Sequence, residues 1–381
     1  MDMTDLTGYG FAFIIAVISL IFCFAPAKAV SSPETSGGTR AYLSIMNIFA
    51  AFAVVMLHTN GIVYGPEANS SQASYIISHA INSFCNFAAP VFYMITGATL
   101  MDYAERYSTK EYFKKRLIKT FIPFIIWSFI AFLFCKYYMH FNVSWSPLEM
   151  IDKTFNYGYV NLYWFFMPLF GIYLLLPVLT DLNGKYKVFR YMLIAGVISA
   201  MAIPLICRFL NIEFNVNLKL SAAAGFSLYP VLGYFLDRSE LTRKVRIIIY
   251  TAGLSGLALF FAGTLVLKGS NGYYSEFSDI FMANSNLPCF LWAGAVFTFF
   301  KQIFGSKAFS EKVLKLIKTL SGLSFGIYLI HFYILMPAVR ELGIDCGSLI
   351  WKIGGAIVIY ALSAVIVFLL KKIPLLKRIV P

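Results

Sequence analysis

The feature that most restricts this chain is a succession of apolar stretches, each close to the roughly 20 helical residues needed to cross the hydrocarbon core of a bilayer. They run at about 10–27, 41–63, 76–101, 117–138, 159–180, 188–207, 218–236, 246–267, 281–300, 320–339 and 349–370. Inside lipid every backbone N–H and C=O must be bonded within the spanning structure, which leaves helices or a closed barrel. These stretches are continuous rather than alternating, so they read as helices. The expected fold is all-α: a polytopic transmembrane helical bundle of about 10–11 helices. Charged residues make up only 13% of the chain, about half the share of a soluble domain. Only short loops remain between the spans, so any chemistry must sit within the bundle or at its rims.

Residues 10–27 lack a basic leader (Asp2 and Asp5 are acidic) and read as a retained helix. The Ser/Gly/Thr-rich segment 31–39 then acts as a linker. The expected organisation is an extra N-terminal helix and linker over 1–39, followed by one membrane domain of ten helices over 40–381. A short interfacial helix is expected at 301–319.

The net charge of +13 does not point to nucleic acid. If each span reverses the side, most of the 31 basic residues fall into the loops on the side of Arg40, including 106–119, 185–190, 238–246, 301–318 and 371–378. That is the positive-inside pattern, and it predicts an outside N-terminus and a cytoplasmic C-terminus. The six cysteines form no CxxC pair or His/Cys cluster, so neither a disulfide framework nor a metal is expected.

Ionisable groups at membrane depth are costly and mark function more often than packing. His58 closes the second stretch in Met56-Leu57-His58-Thr59-Asn60-Gly61. Asn47 stands eleven residues earlier, close to three full turns, so the two share a helix face about 16 Å apart. An imidazole there suits a general base, and an interhelical hydrogen bond accounts for it equally well. His331, in Ser324-Phe325-Gly326-Ile327-Tyr328-Leu329-Ile330-His331, is as consistent with an interhelical bond as with a substrate contact. Pro90 and Gly97 loosen the third stretch, freeing backbone groups near Thr96. Arg116, in Phe113-Lys114-Lys115-Arg116, belongs to a basic cluster of the kind that holds phosphates. The aromatics Trp145, Tyr157, Tyr159, Tyr273 and Tyr274 fit an interface belt as well as a sugar platform.

Taken in order, several segments resemble the acyltransferase-3 family of multi-spanning membrane acyltransferases. They are Ile48 to His58, Ala89 to Gly97, Phe113 to Arg116 followed by Pro123, Tyr163-Trp164-Phe165-Phe166, and Ser324 to His331. The resemblance covers about 40–371. It implies transfer of an acetyl or similar acyl group from cytoplasmic acetyl-CoA, as donor substrate, to a glycan or lipid-linked sugar of the cell envelope. The enzyme would lie in a bacterial plasma membrane. It implies that His58 is catalytic and that Asn47, Asn60, Arg116, Trp164 and His331 contact the substrate or acyl-CoA, with no metal. The family often carries an arginine where this chain has Asn47, which shifts anion binding toward Arg116. The competing expectation is a transporter or flippase of lipid-linked sugars.

Overall fold

The computed structural model describes residues 40–60, 71–210, 212–220, 224–266 and 283–381, together with the pair Lys28–Ala29. The expected helix at 10–27, the linker to residue 39 and the segment with Tyr273 and Tyr274 lie outside the described residues. Nine helical segments among those described are long and apolar enough to cross a membrane, and the chain is an all-α, multi-pass membrane protein.

The helices are α1 (Ala41–Thr59), α2 (Gln72–Cys85), α3 (Ala88–Leu100), α4 (Thr109–Tyr138), α5 (Pro147–Phe155), α6 (Asn161–Thr180) and α7 (Tyr186–Cys207). There follow α8 (Leu228–Asp237), α9 (Arg243–Val266), α10 (Leu287–Phe304), α11 (Glu311–Leu342) and α12 (Trp351–Leu370). α2 and α3 together make one span. Their ends follow local chemistry. Ser71, Ser108 and Ser310 accept backbone N–H groups at the starts of α2, α4 and α11. Gly343, at φ 58°, ends α11 in the left-handed conformation that favours glycine. Pro90 sits in the first turn of α3, where the missing N–H breaks no helical bond.

α1 lies at the centre, against α3, α10, α11 and α12. The outer helices turn large apolar side chains outward, as a lipid-facing surface requires. On α12, Ile357, Val358, Leu362, Val365 and Leu369 are exposed.

The stretch at 218–236 is not a full span. Its helix, α8, has 10 residues, about 15 Å, half the hydrocarbon thickness. Nearly every α8 residue is buried. Backbones touch where it crosses α3: a Cβ at Gly97 would run into the Pro230 carbonyl, and one at Gly233 into the Met94 carbonyl. Small residues permit such approach between membrane helices. Hydropathy reads α8 as a span because it is apolar on all sides, but its apolar surface faces protein.

The expected interfacial helix at 301–319 is also corrected. α10 runs to Phe304, and α11 is one helix of 32 residues that begins at Glu311. Residues 311–319 are therefore the first turns of a span. Capping by Ser310 sets that start, and no break separates the amphipathic part from the apolar part.

Several basic loops meet at one end of the bundle. Arg40 Nη1 lies 3.0 Å from Asp237 Oδ2, Arg238 Nη2 2.8 Å from Asp102 Oδ2, and Arg106 Nη2 2.9 Å from Asp102 Oδ1. The Tyr42 hydroxyl donates to Asp237. Lys301 Nζ donates to the carbonyls of Leu236, Asp237 and Ser239 at 2.7, 2.8 and 2.7 Å. α8 thus ends on a cation that satisfies its last carbonyls. Ser239–Glu240 pairs antiparallel with Lys28–Ala29 beside this cluster.

Candidate functional site

A cavity of about 810 Å³ runs through the bundle. At the basic end it is lined by Lys119, Thr120, Ser321, Gly322 and Asn47. His58 lines it further in, eighteen residues along α1 from Arg40, about 27 Å by helical rise. The shared face read from the sequence is thus realised, with Asn47 and His58 opening onto one cavity.

His58 meets a second imidazole. Its Nδ1 lies 2.7 Å from His331 Nε2, with the ring planes 7° apart. His331 Nδ1 lies 3.0 Å from the Ile327 carbonyl, one turn earlier on α11. A carbonyl only accepts, so His331 Nδ1 carries the proton and its Nε2 is the acceptor. His58 Nδ1 must then donate, and with both rings neutral the lone pair of His58 sits on Nε2. Among the described residues that nitrogen has no protein partner. One backbone carbonyl therefore sets the tautomers of two rings in series. His331 is fully buried and does not line the cavity.

The other expected site residues divide. Asn47 lines the cavity, but its Nδ2 donates to Ser321 O and Oγ at 3.0 and 2.8 Å, tying α1 to α11. Trp164 lines the cavity, its ring 5.6 Å from that of Phe226. Asn60 does not. It is buried, donates to the Ser78 carbonyl at 2.7 Å, and accepts from Lys352 Nζ at 3.5 Å. Lys352 also donates to the Ser78 hydroxyl. This knot of Asn60, Ser78 and Lys352 fixes the end of α1 just past His58.

Arg116 stands one side chain back. Its guanidinium lies 5.8 and 5.5 Å from the rings of Tyr112 and Tyr173, and Tyr173 lines the cavity. Lys119 reaches the mouth instead. Thr96 also lines the cavity, with its hydroxyl donated to the Phe92 carbonyl at 2.9 Å. Trp145 stands outside, exposed and packed edge-on against Phe132 at 4.7 Å. Trp127 Nε1 donates to the Ile379 carbonyl at 2.8 Å, and Pro381 completes part of the cavity wall.

Sequence reasoning missed Lys119, Lys352 and the lining asparagines Asn82, Asn86, Asn161 and Asn284. Asn82 and Asn86 are one helical turn apart, a spacing that places them on one face. Nothing in the short loops marked Asn161 or Asn284.

A family model described as an acyltransferase domain (Acyl_transf_3) matches residues 40–378. No curated protein and no solved structure matches the chain.

Proposed function

The chain belongs to this acyltransferase family, and from that premise we propose that it moves an acetyl or similar short acyl group from acyl-CoA to a hydroxyl of a cell-envelope polysaccharide or lipid-linked sugar. The observation that carries the reading is the single cavity from Lys119 to His58, in which His331 leaves the lone pair on His58 Nε2. The basic end faces the cytoplasm of a bacterial plasma membrane, following the positive-inside pattern. The C-terminus lies on the same side.

The donor's phosphates stay at the basic mouth, where Lys119 meets them and exposed Lys114 and half-buried Lys115 add to the field. Its thioester arm extends along the cavity toward His58. His58 Nε2 takes the proton of the acceptor hydroxyl as its oxygen attacks the thioester carbonyl. Charge that builds on His58 is shared with the His331 Nε2 lone pair, as in other oriented bases. The tetrahedral adduct collapses, the C–S bond breaks, the ester remains on the acceptor, and the imidazolium returns its proton to the leaving thiolate.

Family membership favours transfer over flipping of lipid-linked sugars. The test is His58→Ala in the full chain, with release of CoA from acetyl-CoA followed in detergent and envelope glycans analysed by mass spectrometry. Loss of both with unchanged expression is expected, and retained acylation would end the assignment.

A further inference from the structure

The cavity is chemically uneven. Of its lining Asp, Glu, Lys and Arg side chains among the described residues there is one, Lys119, at the basic mouth. The other half carries Asn82, Asn86, Asn161, Asn284 and Trp164. Asn86 lies twelve residues before Ala98, whose carbonyl Arg40 touches, so it stands about 18 Å from the basic end. Asn161 sits beside Leu162, whose carbonyl accepts the Tyr328 hydroxyl, and Tyr328 is three residues from His331. These amides therefore approach the depth of the histidine pair.

Their placement follows from local structure. Asn82 and Asn86 are four apart along and just past α2 and share one face. Asn161 and Trp164 are three apart in a 3-10 turn, where side chains at that spacing eclipse one another. Asn86 is 7% exposed and its Nδ2 has no hydrogen-bond partner within the protein among the described residues. A buried amide is normally hydrogen-bonded, so this donor is free for a partner from outside the protein.

We infer that this asparagine-lined half, with Trp164 at its edge, is the acceptor subsite, and that it takes a neutral, hydroxyl-rich ring. Each amide offers donors and acceptors but no charge, matching hydroxyl groups that do both. The Trp164 ring offers the flat apolar face on which a sugar ring packs. A carboxylated or phosphorylated sugar would find no counter-charge among the described lining residues of this half and would lose its hydration. The inference deepens the acyltransferase reading and rests on it for the identity of the reacting hydroxyl. Donor and acceptor are sorted by charge: the polyanion at Lys119, the neutral ring at the amides.

The test follows CoA release from acetyl-CoA by the full chain in detergent, titrated with methyl β-D-glucopyranoside and separately with methyl β-D-glucuronide. The glucoside accelerates release saturably, and the glucuronide does so at least about tenfold less effectively, the discrimination expected when one buried charge goes unpaired. Asn82→Ala and Asn86→Ala each move the glucoside titration to higher concentration and leave the acetyl-CoA titration in place. Equal response to the two glycosides, or an unmoved glucoside titration in both variants, overturns the subsite. A second measurement separates this inference from the assignment of the base. In His58→Gln, glucoside still quenches the fluorescence contributed by Trp164, defined by difference against Trp164→Phe. Quenching retained there supports the subsite even if His58 proves dispensable for turnover, and no quenching there overturns it.

Discussion

His58 Nδ1 and His331 Nε2 lie 2.7 Å apart, joining α1 to α11 across 273 residues of sequence. The contact does more than hold two helices together, because the Ile327 carbonyl decides which nitrogen of each ring bears hydrogen. Removing the base, as in His58→Ala, lowers transfer by about 10²–10⁴-fold, the usual worth of a positioned general base. His331→Phe keeps His58 but releases its tautomer, and lowers the rate by about 10–100-fold, as loss of an orienting partner does elsewhere. His331→Gln recovers part of that loss, since its side-chain carbonyl can accept from His58 Nδ1. Initial rates of CoA release rank the three variants. Equal rates for His331→Phe and the parent would show that the pair is structural only.

Lys119 and Arg116 separate donor binding from packing. Lys119→Ala raises the acyl-CoA concentration at half-saturation by about tenfold, or about 1.4 kcal/mol. The difference shrinks as salt is added, because the mouth is exposed to solvent. Arg116→Ala chiefly loosens the packing around Tyr112 and Tyr173 and shows as a lower unfolding temperature. Donor titrations at two ionic strengths, with thermal unfolding alongside, distinguish the two effects.

Gly97 and Gly322 make a matched pair. A methyl group at Gly97 meets the Pro230 backbone, whereas one at Gly322 meets nothing within 4 Å. Gly97→Ala therefore costs about 1–3 kcal/mol or more, the range for overpacking against atoms that cannot move aside. Gly322→Ala, in the interior of α11, raises stability by about 0.5–1 kcal/mol despite its place on the cavity wall. Thermal unfolding in one detergent checks both.

Asp237 anchors the basic end through Arg40, Arg238 and Tyr42. Asp237→Ala leaves Arg238 with Asp102 but strips the buried Tyr42 hydroxyl of its acceptor and Arg40 of its nearer carboxylate, and destabilises the protein by about 1–3 kcal/mol. The Lys153–Glu149 pair on α5 has similar geometry, at 2.7 Å, but stands in solvent. Lys153→Ala leaves the unfolding temperature where it was.

Most of the architecture was legible because lipid imposes one length and one polarity on every span. The exception, α8, shows the limit of that rule: an apolar segment reads the same whether its neighbours are lipid or protein. The shared face of Asn47 and His58 was legible because both lie on one uninterrupted helix. His331 and His58 were each visible as unusual residues, but only tertiary packing could pair them. Arg116 was favoured over Lys119 for a local reason. A π-helical turn spans Leu117–Phe121 and changes how successive side chains are presented, which α-helical spacing cannot register. The asparagines carried no motif, since their meaning comes from three separate segments meeting at one depth.

α8 also bears on how the protein is made. Too short to settle across a bilayer by its own partitioning, it gains its place from the surfaces of α3, α7 and α10. α3 and α7 are synthesised before it and α10 after it, so its packing is complete only once that later helix arrives. Its docking is then a late step of biogenesis, and the Lys301 ammonium that seals its final turn acts as the latch.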